Sequence, residues 1–559
     1  FYLLLGFLYL ALMGYPFMKL LFPKDLYGEY GRMLLYPVGY LIMALGAFSL
    51  SASSGLSANQ SVTTVSLLFI SISLILLMRQ GGSVASIVQG IRRGAFESLV
   101  LVAPMFLFMF WPLFINGSDT YLGAVNPDYF AGFLDNYFLQ QGYSVKDFVK
   151  GTDTYSPINY LAGSLSSSAR FASGLIGVSF ETFFGMTTRE AMTTSIALFL
   201  ACLPGTVYFF SRVVFGLNRV ASKYSAWMIC ISGPIALSYL YFYLGQNSGL
   251  AALPLVLTMG FLALTRPDPK LLILFALLAN ALFVTYLGML AYAVAPLGAL
   301  WWYLLLTKQT RPLTLITLII GLILVSLAVN FAMLPAIFSM AVGWGNVIGQ
   351  TLQGQYFLDF LTEMFFPLFL GSVAYPVQNS SYELIFGRYA SSAILVSTII
   401  LAGYLLFCIS RWRTTNDDWR SRLVSAMLAI GAYVSVWLAC GVPRTHYALI
   451  ALPFACLVGG FVFFAIVSWI LGNRKDYPRL VTVISAIVIY TIVWWAYTFE
   501  RQYGYAVFKM ASWLQFLLIP FVAYGMTIYF ESGNQFIKDV KNKAVILGGV
   551  LFITSNIVT

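Results

Sequence analysis

The stretch NGSDTYLGAVNPDYFAGFLDNYFLQQG, residues 116–142, holds Asp119, Asp128 and Asp135 directly after a long apolar run. Only 9% of the chain is charged, so three carboxylates this close together are a concentration of chemical capacity. A carboxylate in a cleft at a membrane boundary can act as general base on a hydroxyl, or orient a nucleophile. Pro127 suits the first position of a helix and Asn126 its cap, so Asp128 would open a short helix. Asp135, seven residues on, returns to the same face after two turns. The spacing suits plain capping and loop solvation equally well, because acidic residues are common at helix starts.

Other groups with chemical reach lie far downstream. The one histidine, His446, sits in PRTHY beside Arg444 and Tyr447. A lone histidine there is ordinarily a satisfied surface residue, and an arginine an anchor that snorkels to headgroups. Asp359 and Glu363 are four residues apart and would share a helix face. They could hold a divalent cation, Mg2+ or Mn2+, or simply solvate a surface helix. No GxxxxGK[ST], HExxH or GxSxG pattern occurs, which argues against an ATP-driven pump, a zinc peptidase and a serine hydrolase. The five cysteines form no CxxC pair and lie in or beside apolar runs, as small core residues do.

The elements that must position these groups are dictated by composition. Of 559 residues, 60% are hydrophobic. Apolar stretches of roughly 17–25 residues recur between short polar breaks, the length needed to cross about 30 Å of hydrocarbon. The expected fold is therefore an all-α polytopic membrane protein with about 16 transmembrane helices. Spans are expected near 1–22, 33–54, 61–78, 96–116, 191–210, 225–243, 250–265, 271–285, 287–306, 313–336, 391–410, 422–440, 448–471, 480–498, 511–530 and 544–559. No cleavable signal peptide is expected.

The net charge of +11 suggests nucleic acid at first sight, but the basic residues are scattered through short loops as topogenic signals. One set of alternate loops, with Lys19 at a span end, carries 23 of the 31 lysines and arginines, and this side is assigned to the cytoplasm. Two long external loops remain, 117–190 and 337–390, too rich in Tyr, Phe and Leu for disorder. Residues 156–186 are expected to form helices lying half immersed along the outer surface. The chain then divides into accessory helices (1–95), a core (96–471) and C-terminal helices (472–559).

The stretch NPDYFAGFLDNYFLQQG, followed by YSPINYLAGSL, resembles the first external loop of the GT-C superfamily of membrane glycosyltransferases. There an acidic residue follows a span, and an aromatic-rich helix ends in an L-x-x-G turn. GVPRTHYALIALPFACLVGG (441–460) is similar to a late span entry of that family, and SYLYFYLGQNSGLAALPLVL (238–257) to its mid-chain pair of spans. Here the acidic loop follows the fourth span instead of the first, and Asp119 is followed by Thr120 instead of a second acid.

The resemblance implies a GT-C-like fold and inverting transfer from a polyprenyl-phosphate sugar donor on the external face. It implies Asp128 as general base, with Asp119 second, and Arg444, His446, Tyr447 and Arg388 as donor-phosphate ligands, since guanidinium grips phosphate bidentately. The acceptor would be a cell-envelope glycan, lipid or protein. The site would open to the periplasmic or extracellular side of an inner (plasma) membrane, among membrane lipids and without nucleic acid. Rival readings are an O-antigen polymerase or ligase using a polyprenyl-diphosphate donor, and a lipid or solute transporter. A transporter would place charged or broken-helix sites near the bilayer midplane, where this chain has few ionisable residues.

Overall fold

The computed structural model describes residues 2–79, 98–107, 109–117, 136–145, 171–240, 243–266, 268–309, 312–330, 478–500, 512–517, 519–520 and 523. Among the described residues all regular structure is helical, and six helices are long and apolar enough to cross a membrane. Of the other expected spans, 96–116, 225–243, 313–336, 480–498 and 511–530 are described in whole or in part, while 391–410, 422–440, 448–471 and 544–559, with the loop 337–390, lie outside the described residues.

The chain opens with α1 (Tyr2–Leu21). After short turns at Lys24–Leu26 and Tyr27–Gly31 comes α2 (Arg32–Ser54), then α3 (Ala58–Arg79). The span expected at 96–116 is broken into α4 (Ser98–Leu107) and α5 (Trp111–Asn116). Pro112 stands in the first turn of α5, where it can start a helix but could not continue one without losing a backbone bond. The chain continues through α6 (Phe171–Phe184), α7 (Thr188–Val213), α8 (Arg219–Cys230), α9 (Gly233–Leu240) and α10 (Leu244–Thr265). Then follow α11 (Pro269–Leu306), α12 (Pro312–Asn330) and, far downstream, α13 (Pro478–Glu500).

Local chemistry sets several boundaries. Thr187 and Glu190 form a reciprocal capping box at the start of α7, each side chain bonding the other's backbone N–H. Asp268 caps α11 by accepting from the Lys270 N–H at 2.9 Å, with Pro269 in the first position.

α11 is one element of 38 residues, yet Tyr286 in its middle leaves helical geometry (φ −159°, ψ 83°). A side-chain atom placed on Gly260 of α10 would meet both Phe275 and Leu297. In a straight helix those two residues would lie about 33 Å apart. The element therefore folds back at Tyr286, and its arms 269–285 and 287–306 both flank α10. The boundary expected between the 271–285 and 287–306 spans falls at this residue.

Two compact units divide the chain. The first comprises Phe1–Cys230, Ser238–Gln350 and Tyr477–Thr491, so the helices of 1–79 share a unit with α6, α7, α10 and α11. The second comprises Ile231–Leu237, Thr351–Asp476 and Ile492–Thr559; within it the Ser232 hydroxyl bonds the Gln515 side chain at 3.2 Å.

Inside the first unit α7 is buried along almost its whole length, as is α10. By contrast α3 exposes Leu67, Leu68, Leu74, Ile75 and Met78, and α12 exposes Ile316, Ile320, Ile323 and Leu324. Apolar faces this wide, uncovered by protein, are what a hydrocarbon solvent would cover. At the crossing of α1 and α2, Gly14 and Gly39 let the backbones touch. A side chain on either would collide with backbone atoms of the other helix. Close approach through small residues is the usual packing device where lipid replaces water.

Loops expected to alternate between sides do separate to two ends of this unit. At one end Glu29 accepts from Arg212 (3.2 Å) and from the Tyr208 hydroxyl (3.3 Å), and pairs with Arg219 (3.5 Å). Asp25 pairs there with Arg266 (2.8 Å), an exposed contact worth little by itself. The Ser51–Leu56 and Gly142 turns and the α6–α7 junction meet at the other end.

Between the ends, the Tyr40 hydroxyl donates to the Ser248 carbonyl of α10 at 2.6 Å in a fully buried position. Tyr40→Phe is expected to cost about 0.6–1 kcal/mol, the worth of one buried hydrogen bond in such a protein. Equilibrium unfolding in mixed detergent micelles would measure it.

One expectation changes. The described part of 156–186, α6, does not lie half immersed on a surface. Residues 172–180 are all buried, and α6 packs against α1, α2, α3, α7, α10 and α11. Its few polar residues (Ser173, Ser179, Glu181 and Thr182) form no single face, which suits a helix enclosed by others better than one at an interface.

Candidate functional site

The residues singled out for chemistry, Asp119, Asp128, Arg388, Arg444, His446 and Tyr447, lie outside the described residues, as do Asp135, Asp359 and Glu363. What is described is the frame on either side of the acidic stretch. Upstream, α5 ends at Gly117, whose N–H bonds the Leu113 carbonyl at 3.0 Å. Downstream, the chain is described from Asn136 to Val145.

That downstream segment has a defined build. Residues 136–140 are helical and end in a turn at Gly142, with φ +98°, a backbone region where only glycine is unstrained. The Gly142 N–H bonds the Leu139 carbonyl at 3.3 Å, so the Leu139–Gly142 stretch is a true helix stop. Four ties then fasten the segment. Asn59 donates to the Gln140 carbonyl (2.8 Å) and the Ala58 N–H to the Tyr143 carbonyl (3.0 Å). The Val145 N–H donates to the Ser51 hydroxyl (2.9 Å), and Asn136 Nδ2 donates to Glu181 Oε1 of α6 (2.9 Å).

The last tie is the most unusual. Glu181 is 6% exposed and Asn136 1%. Asn136 fits against α6 because residue 177 is glycine; a side chain there would come within 2.5–3.0 Å of the Asn136 amide. Burial pushes the Glu181 carboxyl up from its ordinary 4.5 to about 8, with the Thr188 hydroxyl opposing the shift. Glu181 Oε2 and Asn136 Oδ1 are buried without hydrogen-bond partners. A carboxyl of this kind is protonated near neutral pH and can donate.

The other end of α6 is also polar. Ser173 bonds the Ser248 hydroxyl (3.1 Å) and the Thr285 carbonyl (3.2 Å), beside the fold-back of α11. Close by, the Asn247 side chain is held on Ser238 through two bonds, of 2.7 and 3.0 Å. α6 thus fixes the exit of the acidic stretch at one end and the GQNSG stretch of α10 at the other.

No protein-family model matches the chain, and no curated protein matches it. Among the described residues no group of three or more His, Cys, Asp or Glu side chains gathers as metal ligands do.

Sequence reasoning passed over Glu181 and Asn136. The signal was present: Glu181 is the one charged residue between Arg170 and Arg189, inside an otherwise apolar run. A carboxyl in such surroundings is costly and calls for a reason.

Proposed function

We propose that the chain is a GT-C-like integral membrane glycosyltransferase that moves a sugar from a polyprenyl-phosphate donor to a cell-envelope glycan, lipid or protein acceptor. On this reading Asp128 removes the proton of the acceptor hydroxyl as its oxygen attacks the anomeric carbon from the face opposite the phosphate. The bond from that carbon to the phosphate oxygen breaks with inversion, and polyprenyl phosphate leaves with one more negative charge than the donor carried. Arg444, with His446, Tyr447 and Arg388, is assigned to that growing charge, and Asp119 is the alternative base. A divalent cation would serve the same end. The fuller architecture of about 16 spans, with the site on the external face of an inner membrane, belongs to this proposal.

The observation that carries it is the conformation at the end of NPDYFAGFLDNYFLQQG. The helix-then-glycine stop of the resembling motif is present at 136–142, and it is tied down at the junction of α2, α3 and α6. The helices that meet at that junction are largely apolar, as the surroundings of a prenyl-chain donor would be.

The test is reconstitution of the full chain in lipid nanodiscs with synthetic sugar lipids and a panel of acceptors. Transfer from polyprenyl-phosphate sugars with inverted anomeric configuration is the expected result. Turnover of polyprenyl-diphosphate donors alone would move the assignment to the polymerase or ligase class. Passage of lipid or solute without any turnover would make it a transporter.

A further inference from the structure

We propose that Glu181 and Asn136 form a one-proton clamp. Asn136 Nδ2–H donates to Glu181 Oε1, and a proton on Oε2 donates back to Asn136 Oδ1. The resulting acid–amide ring holds segment 136–145 on α6 until Glu181 ionises. The inference goes beyond sugar transfer and does not depend on it. Where that reading holds, Glu181 becomes a positioning residue for the acidic stretch.

An ionised carboxylate only accepts, and an amide oxygen only accepts. With Nδ2 spent on Oε1 at 2.9 Å, an ionised Glu181 leaves Oε2 and Oδ1 as two buried acceptors outside any hydrogen bond; the Thr188 hydroxyl faces the carboxylate, but Oδ1 gains nothing from it. Both side chains are more than nine-tenths buried, so bulk water is not at hand. One proton satisfies both atoms together, and Gly177 holds the amide in place to receive it.

Charges are few on the described helices around the pair. Of the helices packed on α6, α1 carries only Lys19, α2 only Arg32, α3 only Arg79 and α11 only Lys270, while α10 carries none. On α7 are Arg212, Arg189 and Glu190; Glu190 is engaged by Thr187 in the capping box. From α1, the titratable Tyr9 meets α6 at Phe180 and Phe184, its hydroxyl bonded to Ser66. From α3, Asn59 reaches Thr182 (3.5 Å), and from α7 the Thr188 hydroxyl faces Glu181 itself.

The direction follows from the raised folded value. Proton binding favours the folded, clamped state fully below 4.5, and that contribution is lost as pH rises through about 8, where the proton leaves to water. The Asn59, Ala58 and Ser51 ties do not titrate, so loosening is confined to Asn136, the residue next to the acidic stretch, and the short helical turn it anchors.

The experiment uses the full chain in nanodiscs between about pH 6 and about pH 10. Infrared difference spectra should show a protonated carboxyl band that disappears with a midpoint near 8 and is missing in Glu181→Gln. Hydrogen exchange of residues 137–142, the turn that Asn136 anchors, corrected for its intrinsic base catalysis, should rise on the order of tenfold across the same midpoint. Glu181→Gln, whose amide donates to Oδ1 and accepts from Nδ2, should stay protected throughout. Asn136→Leu should exchange fast at every pH. A wild-type chain with no step overturns the clamp, as does the same step in Glu181→Gln. Should Glu181→Gln fail to accumulate, a step persisting in Asn136→Leu overturns it equally.

Discussion

Asp128→Asn is expected to lower sugar transfer by at least about 100-fold while leaving the chain folded, because a positioned general base contributes on the order of 10²–10⁴ in rate. The amide is nearly isosteric with the carboxylate but cannot take the acceptor's proton. A drop in kcat with donor KM little changed is the expected split, since the base acts on the reacting hydroxyl and not on the donor lipid. Size-exclusion profile and thermal unfolding in detergent should match the wild type. If Asp119→Asn shows the large loss and Asp128→Asn does not, the base is Asp119. If both variants retain transfer and Arg444→Lys abolishes it, the acid–base mechanism fails. The polymerase or ligase reading, which relies on Arg and His, takes its place.

The second large effect is structural. Gly39→Val should cost about 3 kcal/mol or more, enough to deplete folded protein in the membrane. A Cβ at residue 39 would collide with the Leu10 carbonyl and approach the Gly14 N–H to 3.0 Å. Those are backbone atoms, so no rotamer change relieves the clash. The two helices would have to separate, giving up the most extensive of the contacts that α1 makes in the first unit. Gly46→Val makes a fair control: its Cβ would meet side chains alone, Val65 at 3.1 Å and the Phe69 ring at 3.8 Å, and these can give way. Yield and unfolding midpoint in mixed micelles should fall sharply for the first variant and slightly for the second.

Helix content and the membrane-length stretches were legible because hydrocarbon imposes a length on any apolar span. The first three spans, the 191–210 span and the break near Tyr286 all have counterparts in α1–α3, α7 and the fold-back of α11. The interruption of 96–116 was less legible: Pro112 lies close enough to the end of the run to pass as its last turn. The burial of α6 was missed because its fourteen residues are mostly apolar and its few polar ones mark no one face. Length and composition cannot tell a short helix enclosed by protein from one lying in an interface.

For the site, the acidic stretch stood out by its charge, but the groups that hold its exit did not. Asn136 is an ordinary residue in an aromatic segment, and its partner Glu181 is 45 residues away. Their pairing depends on Gly177 and on how α6 is enclosed, and neither periodicity nor motif spacing encodes that. Glu181 could have been flagged by its apolar setting. Its partner could not.

The fold-back at Tyr286 reaches well past its own neighbourhood. It is a matter of parity: a chain that crosses twice in α11 leaves on the side from which it came, whereas one that crossed once would leave opposite. Every later segment inherits that choice, so one residue's backbone decides whether Arg444 and Asp128 are compartment-mates or are divided by the full thickness of the bilayer.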